Sequence, residues 1–113
     1  MVSPRASGVV LIPFPFSDLS GSKLRPALVL ADVSAGDWVL CQITSQRYTD
    51  NKAIELNDSD CDQGGLKTTS YARPGKLFTA NVTLMKGQVA VLKKVKHDEI
   101  VQAIEAMLQA GKL

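Results

Sequence analysis

Two features of this 113-residue chain could together handle a phosphate: an arginine at position 25 and the hydroxyl pair Thr44-Ser45. Arg25 ends the polar loop GSKLR and is followed at once by Pro26 and the apolar run ALVL. A guanidinium stays charged at any relevant pH, and its forked N–H donors match the oxygens of a phosphate. Proline fixes φ, so a strand beginning at Pro26 would hold that cation with little freedom. Thr44 and Ser45 close the run WVLCQITS, in which alternation places Leu40, Gln42 and Thr44 on one face and Cys41 and Ile43 on the other. If the two runs are antiparallel neighbours joined at SAGD, Arg25 and Thr44 lie at similar distances from a turn centred near residues 34–35. Cation and hydroxyl then meet at one rim of a sheet. On spacing alone the plainer reading is favoured: a rim arginine paired with Asp18 or Asp50, beside a threonine chosen for β-propensity.

The rest of the chain reads as the frame for that rim. SGVVLIPF is a β-branched run ended by prolines and predicts a first strand. FPFSDLSGSKLR has loop composition and is long for a hairpin, as binding loops are. PALVLAD, WVLCQITS and KAIELN predict three further strands. DSDCDQGG is rich in turn formers. TSYARPGKLFTA reads as two short extended pieces broken at Pro74-Gly75, and QVAVLKKV as a last strand. The period then changes: Ile100, Val101, Ile104, Met107 and Leu108 form one apolar helical stripe. Asp98 and Glu99 are placed in its first turn and Gly111 at its C-cap. Many short strands followed by one helix predict a mainly β fold, a small antiparallel barrel, as a single domain over residues 1–113.

Composition narrows the class. Hydrophobic residues are 45% and charged residues 21% of the chain, so it folds, and with 5% aromatic residues its core must be aliphatic. Cys41 and Cys61 fit no metal spacing and are expected as free thiols, with neither metal nor cofactor. The Arg5–Phe16 region lacks a signal-peptide cleavage pattern and no run approaches a membrane span, which makes a cytoplasmic, membrane-free protein the expectation. Net charge is +2, unevenly spread. Residues 50–62 are acidic, whereas Lys67, Arg73, Lys76, Lys86, Lys93, Lys94 and Lys96 follow without an acid between them. Such a block suits a polyanion or is a solvated basic face.

Three stretches, VVLIPFPFSDLSGSKLRPALVL, LCQITSQ and RPGKLF, strongly resemble the PemK/MazF-like toxins of bacterial type II toxin–antitoxin systems, from about Gly8 to the C-terminal helix. The resemblance implies an SH3-like β-barrel with a terminal helix, working as a homodimer. It implies metal-independent endoribonuclease cleavage of single-stranded RNA, often mRNA, restrained by an antitoxin protein. The arginine of the family's Arg-Pro motif falls on Arg25 and the threonine ending its third strand on Thr44, both regarded as catalytic there. Two departures stand out. Ser7-Gly8 replaces the usual Gly-acid opening of the first strand, and Gly75 occupies the acid's place in an Arg-x-Asp segment that begins here at Arg73.

For the RNA, the expected contacts are Ser45, Gln46, Phe16, Ser20, Arg73 and Lys76, with Arg47, Tyr71, Phe14 and Lys86 as further candidates. Splayed bases stack on aromatics, although core or loop packing is the stronger expectation for the phenylalanines. Trp38 is expected in the core or a dimer interface, and His97 as a helix-start residue far from the rim. Two rival functions remain open at this point: a CcdB-like gyrase poison of the same fold, and a non-catalytic nucleic-acid-binding barrel using the basic block alone.

Overall fold

The computed structural model describes residues 2–15, 22–47 and 50–113. Seven strands are present: β1 (Gly8–Pro15), β2 (Ser22–Asp32), β3 (Asp37–Thr44), β4 (Ile54–Leu56), β5 (Cys61–Gly64), β6 (Ser70–Asn81) and β7 (Gly87–Leu92). One helix follows, α1 (Lys94–Ala110). The strands form a single curled antiparallel sheet in the order β4-β6-β3-β2-β1-β7-β5, so the expected small antiparallel barrel with a C-terminal helix is met as a half-barrel.

The central strands are buried on both faces, which is why VVLI and ALVL read as continuous apolar runs rather than alternating ones. Period two sorts their side chains. Val9, Leu28, Cys41 and Ile43 join one cluster with Ile100 and Ile104 of α1. Val10, Ile12, Ala27, Val29 and Leu40 join the other, with Ala80 and Met85. The helix therefore covers the first face. Phe14 meets Phe78 edge-on at 5.0 Å between ring centres, and both pack with Trp38 against the second cluster. Core packing claims these rings, as expected.

Several boundaries differ from the sequence reading, each for a physical reason. β2 begins at Ser22, so Pro26 is inside the strand, opposite Leu11 of β1. The β2–β3 ladder starts only at Ala27, directly after the residue that lacks an N–H. DSDCDQGG is not merely turn: Asp58–Asp60 is a 3₁₀ turn capped by Asn57, and Cys61–Gly64 is strand β5. The two pieces of TSYARPGKLFTA are one strand, β6. Its ladder with β3 jumps from Cys41↔Leu77 to Ile43↔Ala72, leaving residues 73–76 to bulge opposite Gln42. Helix α1 starts at Lys94, so Asp98 and Glu99 are beyond its first turn, and the N-cap Lys93 gives no side-chain cap. Gly111 does terminate it, with φ 75° and its N–H donating to Met107 O. No hydrogen-bonded pairing joins edge strands β4 and β5 among the described residues. No helix among them is long and apolar enough to cross a membrane.

The acidic stretch turns out to be structural. Asp60 accepts the Asn57 N–H while Asn57 accepts that of Ser59. Asp58 accepts the Leu66 N–H at 3.1 Å. These bonds fold the β4–β5 and β5–β6 connections against the sheet.

Leu28 and Ile100 are fully buried in the helix-facing cluster. Leu28→Ala and Ile100→Ala are each expected to lower unfolding free energy by about 2–5 kcal/mol in urea melts. A loss below about 1 kcal/mol for Ile100→Ala would mean that α1 does not seal this core.

Candidate functional site

The β2–β3 register decides the site. It pairs Ala27↔Gln42, Leu28↔Cys41 and Val29↔Leu40; the ladder ends there, and the same register continued for two residues would align Arg25 with Thr44. The turn between these strands holds Ser34, Ala35 and Gly36 at positive φ, with Asp32 accepting the Ser34 N–H at 2.8 Å. Arg25 and Thr44 line one cavity of about 450 Å³, together with Ser45, Lys67, Thr68 and Ser70. Leu11, Leu24, Leu66 and Val89 supply its aliphatic walls.

Thr44 is only 4% exposed, and its Oγ1 accepts the Gln46 N–H at 3.1 Å. That bond uses an acceptor site and leaves the hydroxyl hydrogen to donate. Ser70 is buried as well, and its Oγ donates to Thr68 O at 3.0 Å. Ser45 and Gln46 are exposed just beyond the strand end. Arg25 is half-buried on β2, with Ile12 of β1 as its other cross-strand neighbour.

The other residues named from the sequence are distributed differently. Phe16 and Ser20, like Asp18, lie outside the described residues. Arg73 and Lys76 line a different hollow with Asp50, Asn51 and Lys52, not the Arg25 cavity. Asp50 is 4% exposed, and its Oδ2 accepts from Arg73 Nε at 3.0 Å, while Oδ1 accepts the Lys52 N–H at 2.9 Å. The basic block does not form one face: Lys94 pairs with Asp98 at 2.7 Å, and Lys96 with Glu99 at 3.0 Å. Tyr71 stands across β6 from Thr44 and Glu55. His97 lines a separate hollow with Arg5, Asp62 and Asp98. Burial pushes its pKa below the ordinary 6.5 despite the nearby Asp98 carboxylate.

Sequence reasoning missed Lys67, Thr68 and Ser70 as cavity residues. A signal for them existed in GGLKTTS: a glycine pair that permits close chain approach, then a cation and three hydroxyls. Neither cysteine acts here. Both are free thiols, and burial pushes Cys41 up to about 12, too high for a nucleophile. No group of three or more His, Cys, Asp or Glu side chains among the described residues is arranged to hold a metal ion.

Burial favours the neutral form of Asp50, yet the Arg73 hydrogen bond and the Lys52 N–H outweigh it and hold the carboxyl below 3.8. A depressed folded-state pKa gives stability that is complete above the unfolded value of about 3.9 and disappears as pH falls through the folded one. Asp50→Asn is therefore expected to cost about 1–3 kcal/mol at neutral pH, with the gap from wild type closing in acid. Urea melts at pH 7 and at roughly pH 2 check this; a gap of the same size at both would show that the carboxylate charge contributes nothing.

Comparison with known proteins adds three findings. Residues 5–108 match the family model described as PemK-like, MazF-like toxin of type II toxin-antitoxin system. No curated protein matches the sequence. Among solved structures, a MazE-MazF structure from Deinococcus radiodurans superposes with a TM-score of 0.75 at 17% identity, covering 96% of this chain and 98% of that one. An endoribonuclease in complex with its cognate antitoxin, from a mycobacterial species, gives 0.74 at 15% identity over 95% and 96%. The Mycobacterium tuberculosis toxin MazF-mt6 gives 0.69 at 17% identity over 90% and 96%. At these identities the likeness is one of fold.

Proposed function

The chain belongs to the PemK-like, MazF-like toxins of type II toxin–antitoxin systems, and from that premise we propose that it is an endoribonuclease cutting single-stranded RNA at preferred sequences without a metal ion. The observation that carries this reading is the shared cavity of Arg25 and Thr44. A guanidinium and a donating hydroxyl, held on neighbouring strands, form a site for one phosphodiester. The endoribonuclease of similar fold supports the same reading.

RNA carries its own nucleophile. The ribose 2′-oxygen attacks the adjacent phosphorus in line and loses its proton; the bond from phosphorus to the 5′-oxygen breaks, and that oxygen gains a proton. The products are a 2′,3′-cyclic phosphate and a 5′-hydroxyl. Arg25 binds the non-bridging oxygens, whose negative charge grows in the phosphorane. Thr44, with Oγ1 fixed by the Gln46 N–H, donates to the phosphate or orients the 2′-hydroxyl. Preorganised donors of this type contribute about 10²–10³ each to rate. The described lining contains no carboxylate and no imidazole, so the reaction is expected to be slow and limited by removal of the 2′-proton.

Ser45 and Gln46, exposed at the end of β3, contact the flanking nucleotides. Phe16 and Ser20, which precede β2 in the sequence, act on the same strand of RNA. Arg73 and Lys76, in a separate hollow, follow the backbone electrostatically. mRNA as substrate places the activity in the cytoplasm. The partners are a cognate antitoxin, in keeping with the antitoxin complex of similar fold, and a second copy of the chain in a homodimer.

Long single-stranded RNA incubated with the protein in excess EDTA is expected to break at a recurring short sequence, leaving 5′-hydroxyl ends. Arg25→Ala and Thr44→Val are each expected to lower the cleavage rate by about 10²-fold or more with unchanged thermal melting. Cleavage by Arg25→Ala near the wild-type rate removes the mechanism. A salt-sensitive mobility shift without cuts favours a nucleic-acid-binding barrel, and neither cuts nor shift favours a poison of a protein target.

A further inference from the structure

The β5–β6 connection builds a second arm of the cavity, facing the strands that carry Arg25 and Thr44. Lys67 is its exposed cation. The chain is fastened on both sides of it. Leu66 donates its N–H to Asp58 Oδ1 at 3.1 Å, and Thr68 offers its carbonyl to Ser70 Oγ at 3.0 Å. Just upstream, the Gly65 N–H donates to Val89 O at 3.2 Å. A Cβ at Gly64, where φ is 64°, would stand 2.0 Å from Val89 O. A Cβ at Gly65 would stand 2.6 Å from Asp58 Oδ1. The glycine pair thus lets the loop lie directly on β7 and on the Asp58 carboxylate.

Within the same basic block Arg73, Lys94 and Lys96 are engaged by carboxylates, and of the block's cations only Lys67 lines the Arg25 cavity. Lys67 makes no ion pair among the described residues, although its backbone is held in place. A cation whose main chain is fixed and whose ammonium is unengaged needs little ordering when a phosphate arrives. The ammonium is a compact point charge with rotatable donors, and it binds a phosphate without demanding bidentate geometry.

We propose that Lys67 is a second phosphate-binding residue, taking a backbone phosphate next to the scissile one while Arg25 takes the scissile phosphate, and that Asp58 is the positioning residue for Lys67. The assignment rests on the endoribonuclease reading above and deepens it. Lys67 acts on binding rather than on the reacting atoms, so its loss appears in KM and in salt dependence more than in kcat.

Two measurements test it. Binding of a single-stranded 2′-O-methyl RNA oligonucleotide, which cannot be cut, is followed across a range of KCl. Cleavage of the unmodified RNA is followed in parallel in EDTA. Lys67→Met is expected to weaken binding about five- to tenfold and to make the plot of log affinity against log salt shallower by about 0.7–1. KM should rise by a similar factor and kcat stay within about threefold, while Lys67→Arg restores affinity. Asp58→Ala gives a test of sign. It raises net charge by one, so an uninvolved carboxylate would tighten binding when removed; a positioning role predicts weaker binding. Unchanged affinity and slope in Lys67→Met, with wild type active, overturns this proposal alone. A wild-type chain that cuts no RNA overturns the endoribonuclease reading and this one with it.

Discussion

The structure depends on one pairing, that of β2 with β3. Because side chains alternate along a strand, a slip of one residue would exchange the two faces of either partner. Here both faces are committed to core: Leu28 and Cys41 to the helix-facing cluster, Val29 and Leu40 to the other. Burial on two sides leaves a single acceptable register. Arg25 and Thr44 lie two residues beyond the last rung, Ala27↔Gln42, and that constraint brings both to the lining of one cavity. A bulge between Val29 and Ala31 contributes a second condition. Nearer the turn the strands pair Ala31↔Val39, a register that would carry Arg25 to Ser45. The extra residue at Leu30 shifts the ladder by one, so the register past it is the one whose continuation aligns the arginine with the threonine.

Charge follows a similar economy. The segment from Asp50 to Asp62 looks on paper like an exposed acidic tract, yet its carboxylates organise backbone. Asp50 fixes the Arg73 bulge, Asp58 the β5–β6 connection and Asp60 the turn that leads into β5. A net charge of +2 therefore says little about the field at the cavity. Asp50, Asp60, Asp98 and Glu99 are engaged in ion pairs with Arg73, Lys94 and Lys96, and the described cavity lining carries only Arg25 and Lys67 as charged groups. Local charge, rather than the total, is what an incoming polyanion meets.

How legible all this was in the sequence varied with the range of the interactions involved. β1, β3, β7 and the stripe Ile100–Leu108 were readable because burial writes itself into local periodicity. The equal spacing of Arg25 and Thr44 about residues 34–35 was readable for the same reason. β5 was not: Cys61–Gly64 has a turn-former composition and is a strand only because β7 offers it a partner. The start of α1 was misjudged because Lys94, Val95 and Lys96 carry no capping signal, while the Lys93 N–H bond to Asp60 O anchors the chain there. The Lys67–Ser70 arm was hidden by its dependence on Asp58, eight positions before Leu66 in the chain. The bulge at residues 73–76 was half visible, since Pro74-Gly75 announced a break but not that the strand would resume in the same ladder.

A domain of this size has room for few functional groups, and the chemistry suited to it is one in which the substrate contributes the most. RNA brings the nucleophile, already tethered one bond from the ribose and close to the phosphorus. What is lacking is alignment and a counter-charge for the phosphorane, and both can come from side chains fixed on strands. The rim of a curled sheet can hold such groups without loop entropy: Arg25 is paired with Ile12 of β1, and Thr44 has its oxygen set by the backbone N–H two residues on. The aliphatic walls of the cavity lower the local dielectric and strengthen each of those interactions. On the proposed reading, a guanidinium and a hydroxyl in that setting would stand in for the imidazole pair or metal of a more exposed site, with a slower proton transfer from the 2′-hydroxyl as the consequence.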